Sequence, residues 1–291
     1  MRLLQRRPSN PVERWEDGAY RKALSLGGGL GLAEVRQEGL REEPVLAVRL
    51  YGGSLSTQVV EGALSTLART LGIAVDTEPF QQLAMSDPAL ASVARALRGL
   101  KPPRFASLLE SLINVIAFQQ ISLTAALAIV GRLVTSLGSN VTWQGREYWA
   151  FPDAVRLAAT GEEALRGLGF SSQKARALRA VAALVADGGL TLGELEALPS
   201  PAAAERLTAL PGVGRWSADL ILLRGLGRLD VFPAGDSGIR LGLARIFGLA
   251  RPADVAQEAA LVERFGALRG LLYLLVAGSN LMDAGILQQS D

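Results

Sequence analysis

Two kinds of hydrophobic pattern divide the chain. Up to about residue 88, apolar and polar positions alternate around glycines. The runs "LSLGGGLGLAEVRQEG" (24–39) and "PVLAVRLYGG" (44–53) predict hairpin strands, and the cluster Gly27–Gly31 predicts a turn. No G-x-G-x-x-G or P-loop pattern makes that cluster a phosphate loop. One helix follows the strands: in "TQVVEGALSTLARTLG", Val59, Leu64, Leu67 and Leu71 fall near one face at helical spacing. A small α+β domain over residues 1–88 is the expectation.

Beyond residue 88 the spacing is helical almost throughout. "PALASVARALRGL" is a short amphipathic stretch closed by Gly99 and the pair Pro102–Pro103. "FASLLESLINVIAF" carries Leu109, Leu112, Ile113 and Ile116 on one stripe. "LTAALAIVGRLVTSLG" repeats the spacing with Leu127, Val130, Val134 and Leu137. Between them lies a polar joint, "QQIS", residues 119–122. Helices are then expected over 153–159, 161–167 and 172–186. "TLGELEALPSPAAAERLTAL" gives one or two more, and "SGIRLGLARIFGL" and "EAALVERFGALRGLLYLLVAGSN" close the chain. Residues 111–131 carry no charge, but Asn114, Gln119, Gln120, Ser122 and Thr124 interrupt them, so two buried helices are expected and no membrane span.

Composition narrows the chemistry by what it lacks. The 291 residues include no Cys and no His. A disulfide, a thiolate nucleophile, an iron–sulfur cluster, an ordinary zinc site and any imidazole-based triad are therefore excluded. Carboxylates, hydroxyls, amides and backbone remain, with only three lysines: Lys22, Lys101 and Lys174. The net charge of +2 says little, but residues 95–250 hold 17 basic and 12 acidic side chains, an excess suited to a phosphate-facing surface or to solvated helix faces. The N-terminal "MRLLQRRPSN" lacks the apolar core of a signal peptide, so a cytoplasmic protein is expected.

One stretch concentrates the remaining signal. In "LTALPGVGRWSADLILLRG", residues 207–225, Pro211, Gly212 and Gly214 separate two helical runs. A turn this tight leaves N–H groups unpaired at the start of the second helix, where the helix dipole is positive, and glycines let another chain approach closely. Such a turn can hold a phosphate, and it reads no base sequence. A plain helical corner without a ligand is the competing reading of the turn alone.

The full string "LPGVGRWSADLILL" resembles the helix-hairpin-helix of the HhH-GPD DNA glycosylase superfamily. "DVFPAGDSGIRLGLARIFGL" downstream and "RFASLLESLINVIAFQQIS", "LGFSSQKARAL" and "RFGALRGLLYLL" elsewhere extend the likeness over about residues 89–280. The AlkA-type 3-methyladenine DNA glycosylase II branch is the most similar. The resemblance implies a small N-terminal α+β domain followed by a mostly α-helical bundle over residues 89–291. That bundle would have two helical subdomains with an active-site cleft between them. It also implies double-stranded DNA with damaged bases as partner, a monomer, and no required cofactor.

The same resemblance assigns roles. Asp236 is the carboxylate that stabilises positive charge on the sugar; the residue type at that place also suits a helix N-cap. Asp219 and Asp230 read more simply as surface or capping residues. Trp216, Tyr273 and Phe118 line a base pocket, with Trp216 open to a core-aromatic reading too. Gly212, Val213, Gly214 and Arg215 meet DNA at the hairpin, as do Gln119, Gln120, Ile121 and Ser122 at the joint and Ser172 and Lys174 at the following helix start. Gln120 or Ile121 fills the gap left by an extruded base; helix capping is the alternative for the two glutamines. Backbone carbonyls of Thr208, Leu210 and Val213 match the family's site for one monovalent cation, sodium or potassium. Bifunctional members place a Schiff-base lysine where this chain has Trp216, which implies a monofunctional enzyme. After Tyr273 the sequence "LLVAGSN" offers no further aromatic, which implies a wider pocket. A DNA-binding module without catalysis, and a glycosylase for oxidised or mismatched bases, are the alternative functions.

Overall fold

The computed structural model describes residues 9–26, 28–39 and 44–287. Residues 1–8, read above for a leader, and Gly27 of the expected turn lie outside them. The alternating segments form a four-stranded antiparallel sheet in chain order: β1 (Glu13–Glu16), β2 (Ala19–Leu26), β3 (Gly29–Gly39) and β4 (Pro44–Tyr51). The β2–β3 register runs from Ala19 opposite Arg36 to Leu26 opposite Gly29. Gly29 and Gly31 are thus strand residues, so the turn is shorter than the cluster Gly27–Gly31 predicted. Gly31 is required by close approach instead: a Cβ there would lie 2.4 Å from Leu26 Cδ1 and 2.6 Å from the Tyr51 carbonyl oxygen. In the helix Thr57–Leu71 the buried face is Ala63, Leu67 and Leu71. Leu64, placed on that face by its spacing, is 43% exposed.

A second hairpin was not anticipated. β5 (Ser139–Trp143) and β6 (Arg146–Ala150) pair antiparallel across Gln144 and Gly145, whose φ values are +50° and +73°. Two successive left-handed residues give the turn that matches strand twist. This hairpin lays Tyr148 against Ala23 and Leu32 of the sheet, and the rings of Trp143 and Tyr51 come within 5.2 Å. The sheet therefore buries its apolar face on residues far along the chain. Packing divides the protein into Met1–Thr70 with Leu112–Leu190, and Leu71–Ser111 with Thr191–Asp291. A boundary at residues 88 and 89 does not coincide with either unit, because a sheet without a covering layer leaves its apolar side in water. The α+β class holds.

Charged side chains sit within this sheet. The Arg21 Nε donates to Glu34 Oε2 at 2.8 Å, and both residues are buried. Burial pushes the Glu34 carboxyl up, but hydrogen bonds from Arg36 and Arg21 outweigh it and hold its pKa below the ordinary value. A carboxylate with a depressed folded pKa stabilises the fold above its unfolded pKa, about 4.3 for glutamate, and loses that contribution as pH falls through the folded value. Glu34→Gln is expected to flatten the loss of thermal stability below that pH, as read from melting temperatures between pH 7 and 3. An unchanged acid limb would contradict this.

The second unit is helical. The helix Arg269–Asp283 is buried from Gly270 through Val276. The helix Ser237–Ile246 approaches it through Gly242, where a Cβ would lie 2.5 Å from Val276 Cγ1. On another side, a Cβ at Gly270 would stand 3.0 Å from the carbonyl oxygens of Leu229 and Val231. The closing run is split into Val255–Glu263, a 3₁₀ turn Gly266–Leu268 and Arg269–Asp283, the break falling at Gly266 with φ +47°. Among the described residues no helix is long and apolar enough to cross a membrane.

Candidate active site

The hairpin joins the helices Ser200–Thr208 and Arg215–Ile221. Leu210 and Val213 are buried and anchor the turn, while Pro211, Gly212, Gly214 and Arg215 are exposed. Gly212 has φ +73°, a conformation strained for any residue with a Cβ. The N-cap is Gly214, which has no side chain to occupy the helix end, and the first intrahelical bond runs from the Ala218 N–H to the Gly214 carbonyl at 2.9 Å. The N–H groups of Arg215 and Trp216 thus have no acceptor within the helix. Past Ile221 the helix widens into a π turn, Leu222–Leu226, ended by Gly227 at φ +78°.

Arg215 is 75% exposed, yet its Nε donates to both carboxylate oxygens of Asp219, at 3.0 and 2.9 Å. Asp219 is buried, not the surface or capping residue its place in the sequence suggested. Burial raises its pKa and the Arg215 guanidinium offsets only part of that. Asp230 is exposed, as expected. Trp216 is half-buried, with its indole Nε1 buried and without a hydrogen-bond partner.

Asp236 caps the helix Ser237–Ile246, its Oδ1 accepting the Ile239 N–H at 3.1 Å. Its Oδ2 accepts the Tyr273 hydroxyl at 2.9 Å, and the Tyr273 ring meets Phe232 edge to face at 5.6 Å. Capping and a second, side-chain bond together fix the plane of the carboxylate, which is itself half-buried. Tyr273, expected as a pocket aromatic, is only 6% exposed and supports Asp236 directly.

The turn before Asp236 has its own brace. Glu258, 2% exposed, accepts the Gly235 N–H at 3.1 Å and the Arg240 Nε at 3.0 Å. Asn280 donates to the Gly238 carbonyl at 2.8 Å, and Arg245 donates to the Asn280 side-chain oxygen at 3.0 Å. Glu258, Arg240 and Asn280 were missed by sequence reasoning. They lie 22, 4 and 44 positions from Asp236, and only the Asp254–Gln257 capping box that starts the Glu258 helix leaves a local signal.

The joint 119–122 belongs to the other unit, as does Phe118, half-buried at the end of the helix Leu108–Phe118. Gln120 has φ +56°, a left-handed conformation that costs a residue with a Cβ roughly 1–2 kcal/mol. Gln120 is exposed, Ile121 and Leu123 are 38% and 37% exposed, and Ser122 rather than a glutamine caps the next helix through the Ala125 N–H. The Lys174 ammonium donates to the carbonyls of Ala117 at 2.9 Å and Gln119 at 2.7 Å, so it is engaged at a helix end rather than held out for a phosphate. Burial lowers its pKa. Ser171, not Ser172, is the cap of the helix Ser172–Ala186, accepting the Lys174 N–H at 3.3 Å.

Among the described residues no three His, Cys, Asp or Glu side chains gather as a metal site. The carbonyls of Thr208, Leu210 and Val213 are hard, uncharged oxygens in the hairpin turn, a donor set that suits a single monovalent charge. The Leu210 carbonyl also accepts the Val213 N–H at 3.2 Å.

Comparison with known proteins gives this geometry its context. Residues 113–266 match the family model described as "HhH-GPD superfamily base excision DNA repair protein". A DNA-3-methyladenine glycosylase of Bacillus subtilis is 30% identical over 164 residues, 56% of this chain and 54% of its own length. The "Probable bifunctional transcriptional activator/DNA repair enzyme AlkA" of Mycobacterium tuberculosis is 31% identical over 235 residues, 80% of this chain and 45% of its own. The chain thus spans about half the length of these curated relatives. A solved 3-methyladenine DNA glycosylase of Archaeoglobus fulgidus superposes with a TM-score of 0.79 at 27% identity, over 94% of this chain and 90% of that one. With a family match over more than half its residues, spanning the joint, the hairpin and Asp236, the chain belongs to the HhH-GPD superfamily of base excision DNA repair proteins.

Proposed function

We propose that this protein is a monofunctional DNA glycosylase that releases alkylated purines, of the 3-methyladenine and 7-methylguanine type, from double-stranded DNA. The observation that carries the reading is the Asp236 carboxylate, held by the Ile239 N–H and the Tyr273 hydroxyl on a helix 22 positions beyond the hairpin cap Gly214. Hairpin amides at Arg215 and Trp216, on a positive helix end, bind a phosphate and fix the register of the duplex. The lesion is rotated out of the stack, at a cost of a few kcal/mol, and residues of the joint fill its place. The base departs with the electron pair of the glycosidic bond, positive charge develops on the sugar, and the Asp236 carboxylate stabilises it. Water adds to C1′, its proton is lost to solvent, and free base and an abasic strand result.

Trp216 stands where a Schiff-base lysine would, and the ammonium of Lys174 is spent on carbonyls of its own unit. The expectation is therefore hydrolysis without strand cleavage. The Trp216 Nε1, buried and unpartnered, leaves one donor for an acceptor on an extruded base. The carbonyls of Thr208, Leu210 and Val213 would hold a sodium or potassium ion, which offsets phosphate charge facing the turn.

Duplex DNA treated with a methylating agent tests this reading. Mass spectrometry is expected to detect free methylated purines, and the strand should break only after alkali. Enzymatic scission with a borohydride-trapped adduct would overturn hydrolysis. DNA binding without release of any base would favour the binding module.

A further inference from the structure

We propose that Lys174 is a positioning residue for base extrusion, acting through the joint 119–122; this rests on the glycosylase reading above. A helix leaves its last carbonyls without N–H partners, and a cation there is favourable. At the end of Leu108–Phe118 one ammonium takes two such carbonyls, of Ala117 and Gln119, from a helix that begins 54 positions beyond Phe118. The next residue, Gln120, is in the left-handed region without being glycine. Immediately beyond, the Ser122 cap starts a new helix, Leu123–Leu137.

The chain between the bonded Gln119 carbonyl and the Ser122 cap is two residues long, and both of them, Gln120 and Ile121, are exposed. Lys174 thus clamps one side of the joint and Ser122 the other. A side chain that enters a base stack must be held against the return of the flipped nucleotide. A joint free to relax out of the left-handed conformation would retract it. The lysine is kept by this geometry rather than by phosphate contact, so its loss should spare DNA affinity and weaken extrusion.

The test uses full-length protein and duplex oligonucleotides carrying 7-methylguanine, with 2-aminopurine beside the lesion to report unstacking. In one duplex the lesion is paired with cytosine; in the other it faces a stable abasic analogue, which lowers the demand for extrusion. Lys174→Met is expected to bind both duplexes within about twofold of wild type. Its kcat/KM on the paired lesion should fall about tenfold, equivalent to ~1.4 kcal/mol, with a smaller 2-aminopurine rise. On the lesion opposite the abasic analogue the loss should stay under about threefold. Lys174→Arg, which keeps a cation, should recover most of the loss, and Lys174→Gln supplies the comparison if the methionine variant does not fold. Equal losses on both duplexes, no loss on either, or a fall in DNA affinity matching the fall in rate would each overturn the proposal. A wild type that releases no base from either duplex would overturn the glycosylase reading instead.

Discussion

Replacing Asp236 by Asn is expected to lower the rate of base release by on the order of 10²–10³ while the protein stays folded and bound to DNA. The asparagine amide keeps an oxygen for the Ile239 N–H, so the cap of Ser237–Ile246 survives. What is lost is the negative charge that faces the developing cation. Affinity for DNA should hold or rise, because a carboxylate near phosphates repels them. Single-turnover release of 7-methylguanine from duplex DNA, with binding measured alongside, checks both halves. A rate within a factor of about three of wild type would remove Asp236 from the chemistry and leave it a helix cap. A rate lost together with binding would show a structural role only.

Glu258→Ala should be the most damaging change outside the carboxylate itself. It removes the acceptor of the Gly235 N–H and the partner of Arg240 at once, in a residue that is 2% exposed. Breaking a buried pair by deleting one member typically costs about 3–5 kcal/mol, which for a protein of this size corresponds to a melting temperature lower by roughly 5–8 °C. Excision should fall as well, since the turn at Gly235, with φ +84°, sets the approach of the chain to Asp236. Differential scanning calorimetry checks the first effect and single-turnover kinetics at a temperature where the variant is folded checks the second. Glu258→Gln, which keeps an acceptor but no charge, should fall between the two. An unshifted melting temperature would mean that Arg240 and Gly235 find other partners.

Much of the helical framework was legible because its signals are local. The helices expected over 153–159, 161–167 and 172–186 are observed at Ala154–Ala159, Glu162–Gly167 and Ser172–Ala186, each opened by a Gly or an Asp or Ser cap. The hairpin Pro211–Gly214 announced itself through residues that have few other uses. The second β-hairpin went unread although its signal was present. "VTWQGREYW" alternates around Gln144–Gly145, but a turn residue such as glutamine at positive φ is uncommon. Leu64 was misplaced because helical spacing fixes which residues share a face, whereas only the neighbours decide which face is covered.

The sequence by itself determined that no thiol, imidazole or post-hairpin lysine takes part, that a Gly-bearing turn joins two helices at 211–214, and that an aspartate begins the helix at 237. Those are statements about residue identity and about contacts within four positions, which composition and spacing carry. Tertiary structure alone decided that Tyr273 supports Asp236, that Glu258 braces Gly235, that Asp219 is buried under Arg215, and that the Lys174 ammonium bonds the carbonyls of Ala117 and Gln119. Apart from the Arg215–Asp219 pair, each of these bonds spans more than twenty residues. A hydrogen bond needs its partners within about 3 Å, and no periodicity along a chain encodes which distant side chain will arrive there. Even for the near pair, spacing of four allowed the contact and only burial by the surrounding helices fixed its consequence.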